Sequence, residues 1–514
     1  MPTRTGGVAL QRKTERNAAS QTEVPIEHVG VEPVPEKDRT ATAKDFFQIA
    51  FGAAVATTTI IIGTIPIALG LSFWAAASAI VVGVIAGAFL LSPLAVVGSR
   101  THTNNAVSSG AHFGVRGRVI GSFLSLLIAI TFFMISVWVG GDAMTAGLAR
   151  LFPELEGDLL SAAGYALTAA VIFTVCVVGY RWLLAANRFI APLVVALLVL
   201  GAIAFMGDFD PSFAGAPDSY AFGTFAATWV AAMLIAMANP MSYGPFLGDW
   251  SRYVPSSVEA KKLRRAIFGA QLVSLVPFLF GAATATLVPD AGNYINGLVA
   301  VAPAWYVAAL VVVAVAGGIA GGVASLYGTG LDFSSLVPAV SRIKGTLLIG
   351  TLAIALVFVG RFAIDMVDTV NSFLTLILIF AAPWTAIMLV GMLTRRSFYD
   401  SEDLQVFNRG QSGGRYWFTN GMNYRAVGSW TIGSVLGLML ANTTLFTGPL
   451  SGIADGIDVS FFVALAVTVA VYWVSLRLFP EPRYVFDERG PRHVPALDAD
   501  PPPVTAERSG ARSE

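Results

Sequence analysis

Residues 221–253 constrain this chain more than any other stretch. An apolar run from Ala226 to Ala238 breaks into Asn239-Pro240-Met241-Ser242-Tyr243-Gly244-Pro245, then closes with Asp249-Trp250-Ser251-Arg252-Tyr253. Proline removes a backbone donor and clashes with the preceding turn, which frees carbonyls that lipid cannot satisfy. Irregular backbone survives at membrane depth only where it is packed in protein or lines a wet cavity. A break of this kind therefore needs a use.

Composition places the break in a membrane. Only 12% of the 514 residues are charged, against about 25% in soluble domains, and mean hydropathy is +0.70. A net charge of zero gives no support for nucleic-acid binding, and no nucleic-acid partner is expected. The single Cys176 cannot form an internal disulfide, and no Cys/His cluster suggests a metal site. Residues 1–44 are polar, lack the short apolar core of a signal peptide, and read as a disordered tail. Residues 479–514, rich in Pro, Arg and Asp, read as a second.

Apolar segments of roughly 20 residues recur near 46–70, 73–98, 119–147, 160–179, 188–206, 221–247, 266–288, 302–327, 346–363, 370–393, 427–447 and 459–478. The fold class expected is an all-α polytopic membrane protein with 12 transmembrane helices. Charge supports the count independently. Alternate loops beginning after span 2 carry Arg100, Arg116, Arg118; Arg181, Arg188; Arg252, Lys261, Lys262, Arg264, Arg265; Arg342, Lys344; and Arg395, Arg396, Arg409, Arg415, Arg425. The opposite loops carry only Arg150 and Arg361, beside acids that include Glu154, Asp208, Asp210 and Asp455. The positive-inside rule puts the basic loops and both tails in the cytoplasm, and implies a plasma (inner) membrane location.

Five spans separate the start of span 1 from that of span 6, so 45–206 (spans 1–5) and 221–393 (spans 6–10) fit a 5+5 inverted repeat, with spans 11 and 12 (427–478) appended. Span 1 is then the counterpart of the broken span 6. It carries Gly52, a Thr57-Thr58-Thr59 cluster, Gly63 and Pro66. Paired irregular segments in two halves point to the central site of a secondary transporter. The plainer alternative is that the threonines bond to their own helix and the glycines mark close packing.

Several ordered motifs resemble those of one family. These are Ile26-Glu27-His28-Val29-Gly30-Val31-Glu32-Pro33, Asp45-Phe46-Phe47, His112-Phe113-Gly114-Val115-Arg116-Gly117, Asp249-Trp250-Ser251-Arg252-Tyr253-Val254-Pro255 and Leu326-Tyr327-Gly328-Thr329-Gly330-Leu331. Together they resemble the nucleobase:cation symporter-1 family, of the purine–cytosine permease type. The resemblance implies the LeuT-like 5+5 fold, a nucleobase or related heterocycle as substrate, and a coupled cation.

A flat heterocycle wants aromatics on its faces and hydroxyls or amides at its edge. Placed by the resemblance, the aromatics are Phe132 in span 3 and Tyr243 in the span 6 break, beside the freed carbonyls of Pro240 to Ser242. Ser136 lies one turn after Phe132 on the same helix face. Asn239, Thr57, Thr58, Thr59 and Ser325 complete the expected polar rim. Asp142, in the outer part of span 3, is a further suspect because acids in spans are costly, with placement at the membrane interface as the plainer and preferred alternative.

Sodium-coupled relatives place hydroxyls on span 8 where this chain has Ala320 and Gly321, and Ala324 replaces an amide. Those side chains offer a sodium ion no ligand, so proton coupling is expected rather than sodium coupling. No proton carrier stands out in spans 1, 6 or 8. No cofactor, metal or catalytic residue is expected: Walker, H-E-x-x-H and G-x-S-x-G patterns are absent. The expected partners are a small heterocycle and the lipid bilayer. The alternatives are an amino-acid or amine transporter of the same superfamily, which would want a glycine-rich break in span 1, and a channel, which would want a filter motif.

Overall fold

The computed structural model describes residues 32–506, apart from 153, 155–156, 179, 217, 219, 290–293, 338–339, 364–365 and 445. Its long elements are helices. The first four are α1 (Ala43–Ala54), α2 (Thr57–Ala68), α3 (Phe73–Leu91) and α4 (Val119–Leu151). There follow α5 (Asp158–Val178), α6 (Tyr180–Phe205), α7 (Phe225–Ser242), α8 (Ala260–Val273) and α9 (Leu275–Ala285). The last five are α10 (Ala304–Leu336), α11 (Arg342–Ala363), α12 (Met366–Thr394), α13 (Tyr424–Leu440) and α14 (Ser460–Leu478). Among the described residues, nine helical stretches are long and apolar enough to cross a membrane, and the bent pair α1–α2 makes ten. The segments expected at 346–363 and 427–447 are helical as α11 and α13. Among the described side chains α11 contributes the apolar run Ile343–Phe358, and α13 has 17 residues, so neither enters that count.

Local chemistry starts these helices where the sequence changes character. Thr42 and Asp45 form a reciprocal capping box at α1: the hydroxyl accepts from the Asp45 N–H at 3.2 Å and the carboxylate accepts from the Thr42 N–H at 2.8 Å. Ser72 and Thr224 cap α3 and α7 in the simpler way. Where helices cross, glycine lets backbones meet. A Cβ on Gly63 would lie 2.2 Å from the Phe278 carbonyl oxygen, and one on Gly281 would lie 2.1 Å from that of Ile60. The α2–α9 pair is thus closed without a side chain between them.

The sharp bend is in span 1 rather than span 6. Helices α1 and α2 meet at 48° across Val55–Ala56. Span 6 is interrupted more gently: α7 runs through Pro240 to Ser242, a 3₁₀ turn covers Gly244–Phe246, and a short helix follows over Leu247–Ser251. One proline removes one donor, and the backbone beyond it tightens: the Tyr243 N–H turns to the Pro240 carbonyl at 3.3 Å, an i−3 contact. Pro245 then opens the 3₁₀ turn. Phe225–Ser251 therefore holds one general direction.

Neither tail is as loose as its composition implies. Residues 1–31 and 507–514 lie outside the described residues, but 32–44 and 479–506 pack on the bundle. Val34 is buried with its N–H on the His102 carbonyl, and Ala41 bonds the Tyr253 carbonyl. Glu481 is buried against Arg395 at 2.8 Å, where Asn423 also reaches its carboxylate. A second small core joins Val107, Ala111 and Val115 to Leu404, Tyr416, Val485 and Phe486. Two minimal sheets hold the tail: Gln411–Ser412 pairs antiparallel with Thr505–Ala506, and Glu481–Pro482 pairs parallel with Ala496–Leu497. Polar segments order here because charges find buried partners, which composition does not record.

Candidate functional site

The site grows from the bend in span 1. Helix α1 ends at Ala54, and the Val55 N–H falls back on the Phe51 carbonyl. Ala56 is extended (φ −61°, ψ 151°) and starts α2 with no side-chain cap. The bend therefore presents the last carbonyls of one half-helix and the first N–H groups of another. Helix α2 packs against α3, α4, α7, α9 and α10, so the three threonines at its start stand where several helices meet.

The threonines divide. The Thr57 hydroxyl donates to the Ala314 carbonyl of α10 at 2.9 Å, so it joins two helices rather than facing a cavity. Thr58 lies 3.7 Å from the Cβ position of Gly321 on α10, where the Ser136 hydroxyl of α4 lies at 3.1 Å. Thr59 is fully buried, and its hydroxyl has no hydrogen-bond partner among the described residues. Ser136 is in the same condition, as are both amide atoms of Asn239. An orphaned buried polar group costs about 1–3 kcal/mol. Three such side chains, on α2, α4 and α7, make a strong demand for a polar guest or water.

Phe132 is buried one turn from Ser136, as the helical period requires. Tyr243 is buried, and of the carbonyls expected free beside it those of Pro240 and Met241 are partnered. The Pro240 carbonyl accepts from the Tyr243 N–H, and that of Asn239 accepts from the Ser242 hydroxyl at 2.7 Å. The Tyr243 hydroxyl instead donates to the Ala53 carbonyl at the span 1 bend, at 3.1 Å, and its ring meets Trp250 at 5.7 Å. Asn239 precedes Tyr243 by four residues and shares its helix face. Ser325 does not join the site as a free hydroxyl: it bonds the Gly321 carbonyl of its own helix at 3.0 Å. The side chain of Ala324 lies outside the described residues. Asp142 accepts from the Tyr165 hydroxyl of α5, which gives it a partner away from the bend.

Sequence reasoning missed α12. The Cβ position of Gly244, in the span 6 turn, lies 3.6 Å from the Trp384 ring and 3.8 Å from the Thr385 hydroxyl oxygen. The Trp384 Nε1 and Thr385 Oγ1 are buried without partners among the described residues. The available signal was Pro383, a proline inside a span directly before an aromatic and a hydroxyl.

The side chains described above at the bend and at the span 6 turn are neutral. Hydroxyls, amides and an indole suit an uncharged ligand with a polar edge, and they offer no cation to a carboxylate. Among the described residues no group of three or more His, Cys, Asp or Glu could hold a metal ion.

Comparison with known proteins gives consistent matches. The family described as permease for cytosine/purines, uracil, thiamine, allantoin matches residues 33–464. The putative purine-cytosine permease YxlA of Bacillus subtilis (strain 168) is 26% identical over 478 residues, which covers 88% of this chain and 96% of the relative. Among solved structures, the nucleobase-cation-symport-1 family transporter Mhp1, closed with bromovinylhydantoin bound, is similar with a TM-score of 0.67 and 19% identity. The match covers 89% of this chain and 97% of Mhp1. Inward-facing Mhp1 follows with a TM-score of 0.64 and 17% identity, covering 90% and 97%. An outward-open Na+-coupled sialic acid symporter matches with a TM-score of 0.57 and 14% identity, covering 96% and 97%.

Proposed function

The chain belongs to the family of permeases for cytosine/purines, uracil, thiamine, allantoin, and from that membership we propose that it imports a small, uncharged, planar heterocycle by proton-coupled alternating access. It is a multi-pass membrane transporter and not an enzyme. In the finer reading, twelve spans form a 5+5 inverted repeat plus two helices, and both tails face the cytoplasm across the plasma membrane. The charge alternation of the loops supports that orientation.

One observation carries the substrate class: the orphaned neutral groups of Thr59, on the half-helix that follows the bend, and of Ser136 and Asn239, on two helices packed against it. A ring bearing amide-like N–H and C=O groups satisfies such donors and acceptors, and Phe132 and Tyr243 supply apolar faces. An amino-acid substrate is disfavoured because its carboxylate would meet no cation there. Proton coupling draws support from the place where span 8 meets span 1. Ala320 and Gly321 bring no side-chain oxygen to that place from span 8, where the Ser136 and Thr58 hydroxyls stand 3.1 and 3.7 Å from the Gly321 Cβ position, whereas a sodium ion asks for several oxygen ligands.

The test is a thermal-shift screen of the purified protein against nucleobases, hydantoins, allantoin and thiamine, followed by proteoliposome uptake of the hit. Stabilisation by a neutral heterocycle, with uptake that survives replacement of sodium by choline, is expected. Stabilisation only by amino acids overturns the substrate class. Strict sodium dependence overturns the coupling.

A further inference from the structure

Helices α4 and α10 pack along an antiparallel seam that begins at the candidate site and ends at the basic face of the molecule. Near the site, a Cβ on Gly318 would lie 2.9 Å from the Ser136 carbonyl oxygen and 3.5 Å from the Gly140 Cα. Ser136 also approaches Gly321. Eleven residues back along α4 stands Ser125, and eleven residues forward along α10 stands Asp332. Eleven residues are close to three turns, so each pair returns to one helix face about 16 Å farther on. There the seam closes through the Ser125 hydroxyl, which donates to the Asp332 carboxylate.

Asp332 is fully buried, four residues before the end of α10 and five past the span expected at 302–327. Its second oxygen accepts from the Asn104 amide at 3.2 Å. Asn105 donates to the Gly244 carbonyl at 2.7 Å, so one short segment touches both the end of span 8 and the span 6 turn. Both bonded partners of Asp332 are neutral. Titratable groups described on the elements around this helix include Tyr327, Arg118, His102, His112, Arg188, Asp249, Arg252 and Lys344. Arg252 donates to the hydroxyls of Tyr253 and Tyr327, Arg118 to Asn408, and the His112 ring meets Tyr399. His102 lies in the field of Arg39, and Lys344 is exposed.

We propose that Asp332 is a proton-binding site, and that protonation there is linked to closure of the cytoplasmic ends of α4 and α10. The chemistry accommodates both states. As a carboxylate, Asp332 accepts from Ser125 and Asn104. As an acid, it donates its O–H to the Ser125 oxygen while the other oxygen keeps the Asn104 bond. Burial pushes its pKa up to about 8, with the Ser125 hydroxyl opposing that rise. When the seam parts and water enters, the carboxyl returns toward the ordinary carboxylate range, near 4, and the proton leaves for the cytoplasm. Closure takes a proton up, and opening gives it back. The sign follows: the contribution to closure is complete below the ordinary carboxylate pKa and is lost as pH rises through about 8. This deepens the proton-coupled reading given above and rests on it for a role in transport.

Hydrogen exchange of the ligand-free protein in detergent at pH 5 and pH 9, with times scaled for intrinsic rates, tests the proposal. In the wild-type protein, protection of residues 103–125 and 326–336 should fall at pH 9 by up to about a thousandfold, the linkage expected for a carboxyl at about 8 closed and near 4 open. Asp332→Asn should remain protected at both pH values. Ser125→Ala removes a bond that favours the carboxylate, so its midpoint should move to higher pH. Equal wild-type protection at the two pH values overturns the proposal. So does a pH response that survives in Asp332→Asn. If that variant does not fold, the wild-type comparison and the Ser125→Ala midpoint decide. The readout uses no substrate or sodium, so strict sodium dependence in the uptake assay would remove the transport role without touching this titration.

Discussion

The hydroxyl of Tyr243 donates to the backbone carbonyl of Ala53 across 3.1 Å, tying the end of α7 to the bend between α1 and α2. A side chain from one interrupted span thus bonds the backbone of the other, beside the direct packing of α2 on α7. The Ala53 carbonyl, which also accepts from the Ala56 N–H at 3.4 Å, takes a further hydrogen bond from the phenol that the other break positions. Any motion that separates the two segments must break this bond or carry it along.

Replacing that phenol is the direct test. Tyr243→Phe keeps the ring and removes the bond, at a net cost of about 1 kcal/mol. Uptake of the hit from the ligand screen should fall several-fold with surface expression unchanged. Tyr243→Ala removes the aromatic face as well and should abolish uptake. Normal transport by the alanine variant would place Tyr243 outside the site.

The α2–α9 crossing leaves no room for a methyl group. Gly63→Ala would set a Cβ 2.2 Å from the Phe278 carbonyl oxygen, a backbone atom that cannot rotate away. Overpacking of this kind costs about 1–3 kcal/mol, and the melting temperature in detergent should drop. Ligand binding should weaken too, because α2 carries the threonines. Unchanged stability would mean that the two helices separate freely.

The tail is held by a buried charge pair. Arg395 and Glu481 are 0% and 1% exposed and lie 2.8 Å apart. Removing one partner of a buried pair costs about 3–5 kcal/mol, because the other charge is stranded. Glu481→Gln should make residues 479–506 sensitive to trypsin in the folded protein, whereas Arg395→Met combined with Glu481→Met should restore much of the resistance. If Glu481→Gln leaves the tail resistant, the paired strands rather than the ion pair hold it.

Acid should destabilise the basic face through its histidines. Burial, then the Arg395 guanidinium, holds His112 well below its ordinary value of 6.5, and burial, then Arg39, lowers His102. Below pH 6.5 the unfolded chain binds more protons than the folded one, so this stability is complete above 6.5 and is lost as pH falls. The melting temperature should decrease between pH 7.5 and pH 5.5, and His112→Gln should shrink that decrease. An equal decrease in the variant would assign the acid sensitivity to other groups.

Much of the candidate site was legible in particular residues. The Thr57–Thr59 run and the Asn239-to-Pro245 run each mark a real interruption, because threonine clusters and paired prolines are costly in a lipid-facing helix. Their severity was not legible. Proline costs one donor wherever it falls, but whether the chain bends sharply or tightens into a 3₁₀ turn depends on what receives the freed groups. Span 1 bends at Val55–Ala56, where the chain has no proline, with α10 close beside Thr57 and the Tyr243 phenol on the Ala53 carbonyl. Thr57 and Ser325 look like Thr59 and Ser136 in sequence; only the neighbouring helix decides which hydroxyl is already bonded.

The sequence by itself determined a membrane protein of long apolar helices, the spacing of its basic loops and its family. Those properties follow from transfer energies and local motifs, which sum along the chain. Tertiary structure alone decided that both tails dock, that Trp384 and Thr385 face the span 6 turn, and that Asp332 sits across from Ser125. Each of these is a meeting of residues far apart in the chain, and in a low-dielectric interior the partner sets the energy of a polar group.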